Sequence, residues 1–591
     1  MNILVFVLLS FAVLGVGGFL YSRWVARHIG ETDDRPTPAT TREDGRDYVP
    51  TPTPVVFSHH FASIAGAGPI IGPILALAFG WGPVWAWVLF GALFFGGVHD
   101  YLSMHVSVRE GGESIIAVAR RTLGNFAYGL MICFTIVMIV LVTATFLGAS
   151  ARALTSMVPL ASLGLEPDQT LLRTATGADG TRMGIVGGIA STSVIVITAC
   201  APLIGWLYIR RKTPVWICSL LAVAICAVGV AIGFHWPVSL SGHAWMLCLA
   251  GYCLVASWLP VWMVLQARDF INVHILYIGL GGLVVLLAVL GMQGAQLQLA
   301  PLVAAPERGP GPLWPALFVT VACGAISGFH SLCASGTASK QARVESAARR
   351  VGYFGMILEA CLAVAVIAVI GAAFTHQGYL ARLFPAEGAG NPIAAFGLAV
   401  GTVGARATGG LLPVAIGTVL GMLLIEGFIV TTLDTAVRLN RYLFEELWRA
   451  LWTAPPQALL RPTVNSALAI GLMLLIGWNN SAAAIWAVFG SANQLLAALA
   501  LLLFAAWLAR RGVGVKFLVV PVVFMFATTL AMLGWLLVTQ YWPQGKWPLV
   551  VSDLLLLGLA GAVLVHTAVH WRDHFGRPTP AAGGAAGDSG D

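Results

Sequence analysis

Long apolar stretches separated by short polar connectors recur along the whole chain of 591 residues. A helix that rises 1.5 Å per residue needs about 20 apolar residues to cross about 30 Å of hydrocarbon. The pattern therefore predicts an all-α polytopic membrane protein with about 15 transmembrane helices. Their predicted bounds are 2–21, 58–80, 83–105, 125–150, 184–208, 214–234, 243–265, 273–293, 313–333, 351–373, 411–432, 463–478, 484–508, 517–540 and 549–569.

Two of these spans, 58–80 and 313–333, contain residues that disfavour a continuous helix. Glycine, proline and polar residues fall inside them, namely Gly66, Gly68, Pro69, Gly72 and Pro73 in the first and Gly324, Ser327, Gly328, His330 and Ser331 in the second. Opposed, interrupted helices in two halves of a chain are typical of inverted-repeat transporters whose unwound segments hold the substrate. The alternative is that small residues only allow neighbouring helices to pack closely.

The composition supports a membrane location and gives a topology. Hydrophobic residues make up 58% of the chain and charged residues 10%, with a mean hydropathy of +0.86. With the N-terminus outside, 25 of the 32 Lys and Arg residues fall in cytoplasmic connectors, including Arg268 of connector 266–272. We therefore expect a bacterial inner-membrane protein with the N-terminus outside and the C-terminus in the cytoplasm. The dispersed basic residues argue against a nucleic-acid partner.

The connectors are too short for a catalytic domain, so we expect the function to lie within the membrane and not to be enzymatic. We divide the chain into four parts. They are an N-terminal helix and cytoplasmic linker (1–57), a transporter core with the two discontinuous helices (58–508), two C-terminal helices (509–570) and a disordered cytoplasmic tail (571–591).

Five ordered motifs between residues 50 and 505 resemble signatures of the carbon-starvation (CstA) family. They are FSHHFASIAGAGP (57–69), VHD (98–100), CGAISGFHS (323–331), TTLDTA (431–436) and FGSANQLLA (489–497). The resemblance implies a secondary transporter with a broken-helix fold like that of the amino acid–polyamine–organocation (APC/LeuT-like) superfamily. It also implies uptake of pyruvate with proton symport, and the family has been linked to peptide uptake during carbon limitation.

A small carboxylate requires hydrogen-bond donors and positive potential, which half-helix N-termini and hydroxyl groups supply. The predicted substrate-binding residues are Ser63, Gly66, Gly68, Ser327, Gly328, His330, Ser331, Thr431 and Thr432. Lys340 is interpreted as a topology charge. Asn493 and Gln494 lie at mid-depth of their span, where they fit a structural role as well as a functional one.

Proton coupling requires a carboxylate that alternates between neutral and charged forms. The candidates are Glu426, Asp434, Asp100 and Glu359, of which Glu426 is preferred because it lies two turns before Asp434 in a family-like motif. Asp434 also has a structural interpretation, as a helix-end ion pair with Arg438 four residues later.

His59, His60 and His99 fall toward the cytoplasmic ends of their spans. Imidazole and carboxylate groups can bind a transition metal, although no metal motif is present. A metal site, a role in proton or substrate handling, and helix-end packing are the three hypotheses for these histidines. No other cofactor is expected.

The leading hypothesis is import of a small carboxylate, most simply pyruvate, with a proton as coupling ion and the lipid bilayer as surroundings. Uptake of peptides or amino acids is the alternative within the same class. A membrane metalloprotein that uses His59, His60 and His99, and a nutrient sensor, are hypotheses from other classes.

Overall fold

The structure is a computed structural model that describes residues 1–44, 47–177, 180–259, 263–386, 390–479 and 482–570. The predicted disordered tail, 571–591, lies outside the described residues. The first twelve helices are α1 (Ile3–Ile29), α2 (Pro38–Thr41), α3 (Thr53–Ile64), α4 (Gly68–Ala76), α5 (Trp81–Gly91), α6 (Gly97–Arg109), α7 (Ile115–Leu123), α8 (Asn125–Leu154), α9 (Gly187–Gly205), α10 (Val215–His235), α11 (Gly242–Trp258) and α12 (Leu265–Met292).

The remaining helices are α13 (Leu313–Thr320), α14 (Ala322–Ala325), α15 (Phe329–Gly336), α16 (Phe354–Ala373), α17 (His376–Leu383), α18 (Pro392–Ala407), α19 (Val414–Leu451), α20 (Pro462–Gly477), α21 (Ala482–Ala509), α22 (Lys516–Leu536) and α23 (Trp547–Val569). Single π-helical turns extend four of them, at Ala92–Gly96, Trp206–Arg210, Arg349–Tyr353 and Leu537–Tyr541. Short 3₁₀ turns lie at Leu77–Phe79, Leu160–Leu163, Ala338–Lys340 and Gln457–Leu460.

Among the described residues, eleven helices are long and apolar enough to cross a membrane, or twelve if the bent pair α3 and α4 forms one span. The chain is therefore a multi-pass membrane protein. Three further predicted spans are also helical but shorter or broken: α11 has 17 residues, α20 has 16, and 313–333 is divided among α13, α14 and α15. The predicted total of about 15 spans stays a prediction.

Burial separates central helices from peripheral ones. The most hydrophobic window of Ala484–Ala509 is 94% buried inside the protein, whereas that of Val215–His235 is only 22% buried. Apolar side chains such as Leu220 and Val520 point outward and are about two-thirds exposed (64% and 65%). Because these exposed faces are apolar, they fit a lipid environment, and α21 belongs to the centre of the bundle.

Two connectors contain structure that the hydrophobic pattern did not predict. Strands β1 (Met157–Pro159), β2 (Thr174–Thr176) and β3 (Arg182–Ile185) form a small antiparallel sheet in the order β1-β3-β2. Helix α18 lies within the predicted connector 374–410 and packs along α19. It is short and rich in glycine, and Gly401 allows the close approach because a side chain there would meet the Val414 carbonyl.

The first predicted interruption is present between α3 and α4, whose axes differ by 48°. Ala65 leaves the helical conformation (φ −70°, ψ 68°), and α4 restarts at Gly68. The second interruption lies between α14 and α15, where Ile326 is extended (φ −162°, ψ 136°). Both spans are therefore interrupted, as the glycine and proline positions predicted.

The two interruptions lie against each other. A Cβ atom on Gly68 would come within 2.4 Å of the Cys323 side chain, and one on Gly72 would come within 2.6 Å of the Thr320 carbonyl oxygen. Such separations are far below an ordinary carbon contact of about 3.5–4 Å. Glycine at these positions is what allows α4 to pack against α13 and α14.

We expect Gly68→Leu to abolish transport, with a loss of more than about tenfold, because overpacking of about 1–3 kcal/mol forces the two broken helices apart. Gly282→Leu is the matched control, since no atom lies within 4 Å of a Cβ at that position of α12. Solute uptake by equal amounts of membrane-inserted protein is the measurement. If Gly68→Leu takes up solute at the wild-type rate, close contact between the two broken helices is not needed for transport.

Candidate functional site

A network of buried ionisable side chains connects α6, α15 and α16. The two carboxylate oxygens of Asp100 each contact an imidazole: Oδ1 lies 2.7 Å from His99 Nδ1, and Oδ2 lies 2.7 Å from His330 Nδ1. His330 Nε2 lies 3.2 Å from Glu359 Oε2. All four side chains are at most 1% exposed. The structure thus brings together four residues that the sequence singled out: His99, Asp100, His330 and Glu359.

The geometry around His330 limits where protons reside. A neutral imidazole carries one N–H, so donation from Nδ1 to Asp100 leaves Nε2 as an acceptor. The Glu359 carboxyl then contacts Nε2 favourably only when it is protonated. If His330 carries both protons, it can instead pair with two charged carboxylates. Neither Glu359 oxygen forms a hydrogen bond among the described residues, so the contact with Nε2 is one of proximity, and burial without a hydrogen bond favours a neutral Glu359 carboxyl.

His60 of α3 lies beside this network. Its ring carbon Cδ2 would be 3.3 Å from a Cβ on Gly355, which precedes Glu359 by one helical turn of α16. His60 is 1% exposed, and neither ring nitrogen has a hydrogen-bond partner among the described residues. The first broken helix thus packs the His60 imidazole against α16, one helical turn before Glu359.

The metal hypothesis for His59, His60 and His99 gains no support from this arrangement. In the described part of the chain, no group of three His, Cys, Asp or Glu side chains has a geometry that could hold a metal ion. His99 is instead oriented by Asp100, and His60 packs against α16.

The predicted substrate hydroxyls mostly bond to nearby backbone or to other protein groups. Ser63 Oγ donates to the His59 carbonyl (2.9 Å), Ser331 Oγ to the Gly328 carbonyl (2.7 Å) and Thr432 Oγ1 to the Phe428 carbonyl (3.0 Å). The Ser327 hydroxyl lies within hydrogen-bond distance of both side-chain amide atoms of Asn493, at 3.3 Å from Oδ1 and 3.0 Å from Nδ2. Thr432 also faces Gly66, where a Cβ would be 2.9 Å from its hydroxyl.

A second buried network surrounds Arg268, which is only 1% exposed. Its Nη1 lies 2.8 Å from Asp434 Oδ2, and its Nη2 donates to Thr431 Oγ1 at 3.0 Å. Tyr252 OH donates to Asp434 Oδ2 (2.7 Å), and Asn272 Nδ2 donates to Thr431 Oγ1 (2.9 Å). Arg268, Tyr252 and Asn272 were not among the predicted site residues.

Two sequence interpretations are therefore wrong. Arg268 is not a connector charge, because α12 already begins at Leu265 and carries the guanidinium into the protein. Asp434 does not pair with Arg438 four residues later; the Arg438 guanidinium donates to the carbonyls of Ala256 and Leu259. Asp434 pairs with Arg268 of α12 because it lies on the side of α19 that packs against α11 and α12.

Glu426 lies on α19 two turns before Asp434 and is 0% exposed. Neither carboxylate oxygen has a hydrogen-bond partner among the described residues. Burying an unpaired charge is strongly unfavourable, so this position favours a neutral carboxyl. Its coupling role stays a prediction.

A strap, defined as residues 31–44 and 47–51, crosses the face of the bundle where α15 ends. Val49 N–H donates to the Lys340 carbonyl (3.3 Å), and Thr51 N–H donates to the Gln341 carbonyl (3.1 Å). Since α3 begins at Thr53, these bonds join the start of the first broken helix to the segment that follows the second. The predicted linker is therefore packed against the bundle.

Basic side chains surround the buried Glu345 beneath the strap. Its Oε1 lies 3.6 Å from Arg35 Nη1 of the strap, 3.5 Å from Arg109 Nη1 and 3.6 Å from His105 Nδ1. Burial raises the pKa of Glu345, and the two arginines oppose this shift. Glu31 adds an ion pair to Arg349 at 3.1 Å. The strap thus closes this face with both backbone bonds and ion pairs.

These features define a multi-pass membrane transporter with two apposed broken helices and ionisable groups buried around them. The chain belongs to the carbon starvation protein CstA family, which matches residues 2–391 and 380–532.

Relatives cover most of the chain. The peptide transporter CstA of Helicobacter pylori (strain J99) is 30% identical over 582 residues, which is 86% of this chain and 78% of the relative. The Escherichia coli (strain K12) peptide transporter CstA is 30% identical over 578 residues, 85% of this chain and 76% of the relative. The pyruvate/proton symporter BtsT of the same strain is 32% identical over 399 residues, 65% of this chain and 51% of the relative.

Among solved structures, a mutant manganese transporter of Eremococcus coleocola aligns with 90% of this chain and 98% of its own. The identity is 11% and the TM-score is 0.42. Similarity at this level does not assign the fold.

We expect Arg268→Ala to destabilise the protein by about 3–5 kcal/mol, because it leaves Asp434 buried without its cation. The double variant Arg268→Met with Asp434→Leu removes both charges and is expected to recover most of the loss. The exposed Arg382→Ala serves as control. The measurement is the apparent midpoint of thermal unfolding in detergent. A double variant as unstable as Arg268→Ala would contradict the pairing.

Proposed function

We propose that this protein imports a small carboxylate, with pyruvate as the leading solute, by symport with a proton. The observation that carries the proposal is the buried contact series Asp100, His330 and Glu359. His330 lies two residues into α15, directly after the second interruption. A titratable series at this position joins proton binding to the helix segment that is expected to move during transport.

The coupling follows from the burial of Glu359 beside His330. In the present arrangement Nε2 lies 3.2 Å from Oε2, and neither Glu359 oxygen forms a hydrogen bond among the described residues. Inside the closed, low-dielectric bundle the Glu359 carboxyl is favoured only in its neutral form, so it can release its proton only if a shift of α15 relative to α16 admits water to it. Proton binding and helix position therefore depend on each other, which is what symport requires.

The choice of solute draws on the relatives. One is named a pyruvate/proton symporter, and its coupling ion agrees with a buried carboxylate–imidazole series. Uptake of a peptide is the second candidate, because relatives that cover more of the chain are named peptide transporters. Both kinds of solute present a carboxylate to the protein.

The proposal includes an inverted-repeat, LeuT-like core of about 15 spans, with the N-terminus outside. Two points support this core. The two interruptions lie against each other near Gly68 and Cys323, and in the predicted topology the two broken spans enter the membrane from opposite sides. With that topology the strap lies on the cytoplasmic face, so the present conformation is closed toward the cytoplasm. The substrate residues of both broken segments then meet the solute only after the segments separate.

We expect proteoliposomes containing the full chain to accumulate labelled pyruvate when the outside is acidic. One pH unit corresponds to about tenfold accumulation for one proton per solute. Labelled alanine and a labelled dipeptide, with and without the pH gradient, complete the assay. Accumulation of the dipeptide alone would select the second candidate, and accumulation of neither solute would refute the proposed function.

In the same assay, Glu359→Gln is expected to retain exchange of solute between the two sides while losing the roughly tenfold accumulation, because the amide mimics a permanently neutral carboxyl. Asp553→Asn is the matched control, since Asp553 is a buried carboxylate of α23 outside both networks. Gradient-driven accumulation by Glu359→Gln would exclude it as the coupling group. Glu426→Gln, Asp434→Asn and Asp100→Asn then identify the residue that replaces it.

A further inference from the structure

A cavity of about 500 Å³ lies beside the apposed broken helices. Its wall includes Ile71 and Leu75 of α4 and Trp486 of α21, and its lining continues to α8, the connector before α13, the end of α17 and the start of α18. A cavity of this size and partly apolar lining is typical of sites for small organic molecules. None of the substrate residues predicted from the sequence lines it.

The cavity ends at the contact between the two interruptions. Ile71 follows Gly68 by one helical turn, and Trp486 Nε1 donates to the Thr320 carbonyl at 3.4 Å. The same carbonyl faces Gly72 of α4. The cavity wall formed by Ile71 and Trp486 therefore adjoins the contact between α4 and α13.

Two arginines border the cavity without an acidic partner among the described residues. Arg152, in the last turn of α8, is partly buried, and its Nη1 donates to the Gly390 carbonyl at 2.9 Å. Arg308 is exposed, and its Nη1 lies 3.5 Å from the Phe384 carbonyl. Glu307 also lines the cavity but forms no ion pair with either arginine. Each guanidinium has five N–H donors, and among the described residues the Gly390 carbonyl is the one hydrogen-bond acceptor for Arg152.

We propose that this cavity is an external binding site for the carboxylate group of the transported solute, and that Arg152 is its direct partner. The proposal rests on the proposed function and adds to it the residue that recognises the anion. A guanidinium binds a carboxylate through two parallel N–H···O bonds, and partial burial protects this pair from screening. In the predicted topology the end of α8 that carries Arg152 faces the outside, so the cavity lies toward the outer side of the membrane.

Arg308 has a different part in the site. Because it is exposed, its interaction with an anion is screened by salt and contributes mainly to attraction from solution. Arg152 sits deeper, beside the apolar wall, where a charge-assisted hydrogen bond is stronger. The cavity is large enough for a three-carbon acid or a dipeptide. The shared carboxylate is therefore the recognised group, and the experiment distinguishes its two sources.

The test measures equilibrium binding of labelled pyruvate and of a labelled dipeptide to the purified full-length protein, separately from uptake. We expect Arg152→Gln to raise the Kd for the carboxylate ligand about tenfold or more, and Arg152→Lys to restore part of the affinity. A dipeptide whose C-terminus is amidated should bind wild type and Arg152→Gln with the same weak affinity. An unchanged Kd in Arg152→Gln would overturn the proposal.

A second pair of variants covers the case in which Arg152→Gln does not fold. Arg308→Glu reverses an exposed charge at the cavity, while Arg382→Glu makes the same change on exposed α17, where Arg382 donates to Gly378 of its own helix. Arg308→Glu should weaken carboxylate binding at low salt by about tenfold, with a smaller effect at high salt, and Arg382→Glu should not. Equal effects of the two variants would overturn the proposal.

The outcomes separate this proposal from the proposed function. Wild-type protein that binds a carboxylate through Arg152 but accumulates it without a pH gradient would support the site and refute proton symport. Proton-driven accumulation by the wild type, together with an unchanged Kd in Arg152→Gln, would support proton symport and refute the binding site. A wild-type protein that binds neither labelled solute would overturn both.

Discussion

A peptide group that leaves a helix inside a membrane must find its hydrogen-bond partner within the protein. Asn493 of α21 meets this need at the second interruption: its carbonyl accepts from Gly328 N–H (3.0 Å), and its side-chain Oδ1 accepts from Phe329 N–H (2.9 Å). Gly328 permits the approach, since a Cβ there would lie 2.4 Å from the Asn493 carbonyl oxygen. The start of α15, and with it the position of His330, depends on this one residue of the most buried span.

The first broken helix lies between the two buried networks. His60 packs against α16 one turn from Glu359, whereas Gly66 packs against Thr432, the neighbour of the Thr431 hydroxyl that accepts from Arg268. A shift of α3 therefore alters the surroundings of both networks at once. Under the proposed function, such a shift would link proton binding at Glu359 to the Arg268–Asp434 ion pair without a direct bond between the networks.

The sequence was sufficient for features that follow from local chemistry. Gly68 and Pro69 disfavour helix in the residues just before them and favour a helix start, so the first interruption was predictable from local chemistry. The partner of Asp434 was not, because the i+4 residue Arg438 satisfies every local rule, and only tertiary packing brings Arg268 of α12 to 2.8 Å. The contact between Glu359 and His330 was not predictable either, because nothing in the local sequence of one residue identifies the other as its partner.

The strap has a consequence for the resting state of the protein. Its ion pairs involve partners that reach solvent: the Arg35 side chain is 47% exposed and that of Arg109 is 25% exposed, while Glu345 is 2% exposed. Dissolved ions screen such pairs, so the free-energy difference between closed and open forms of this face varies with ionic strength. If the proposed transport cycle opens this face, the ionic strength on that side of the membrane therefore changes how readily it opens, even when no solute or proton gradient is present.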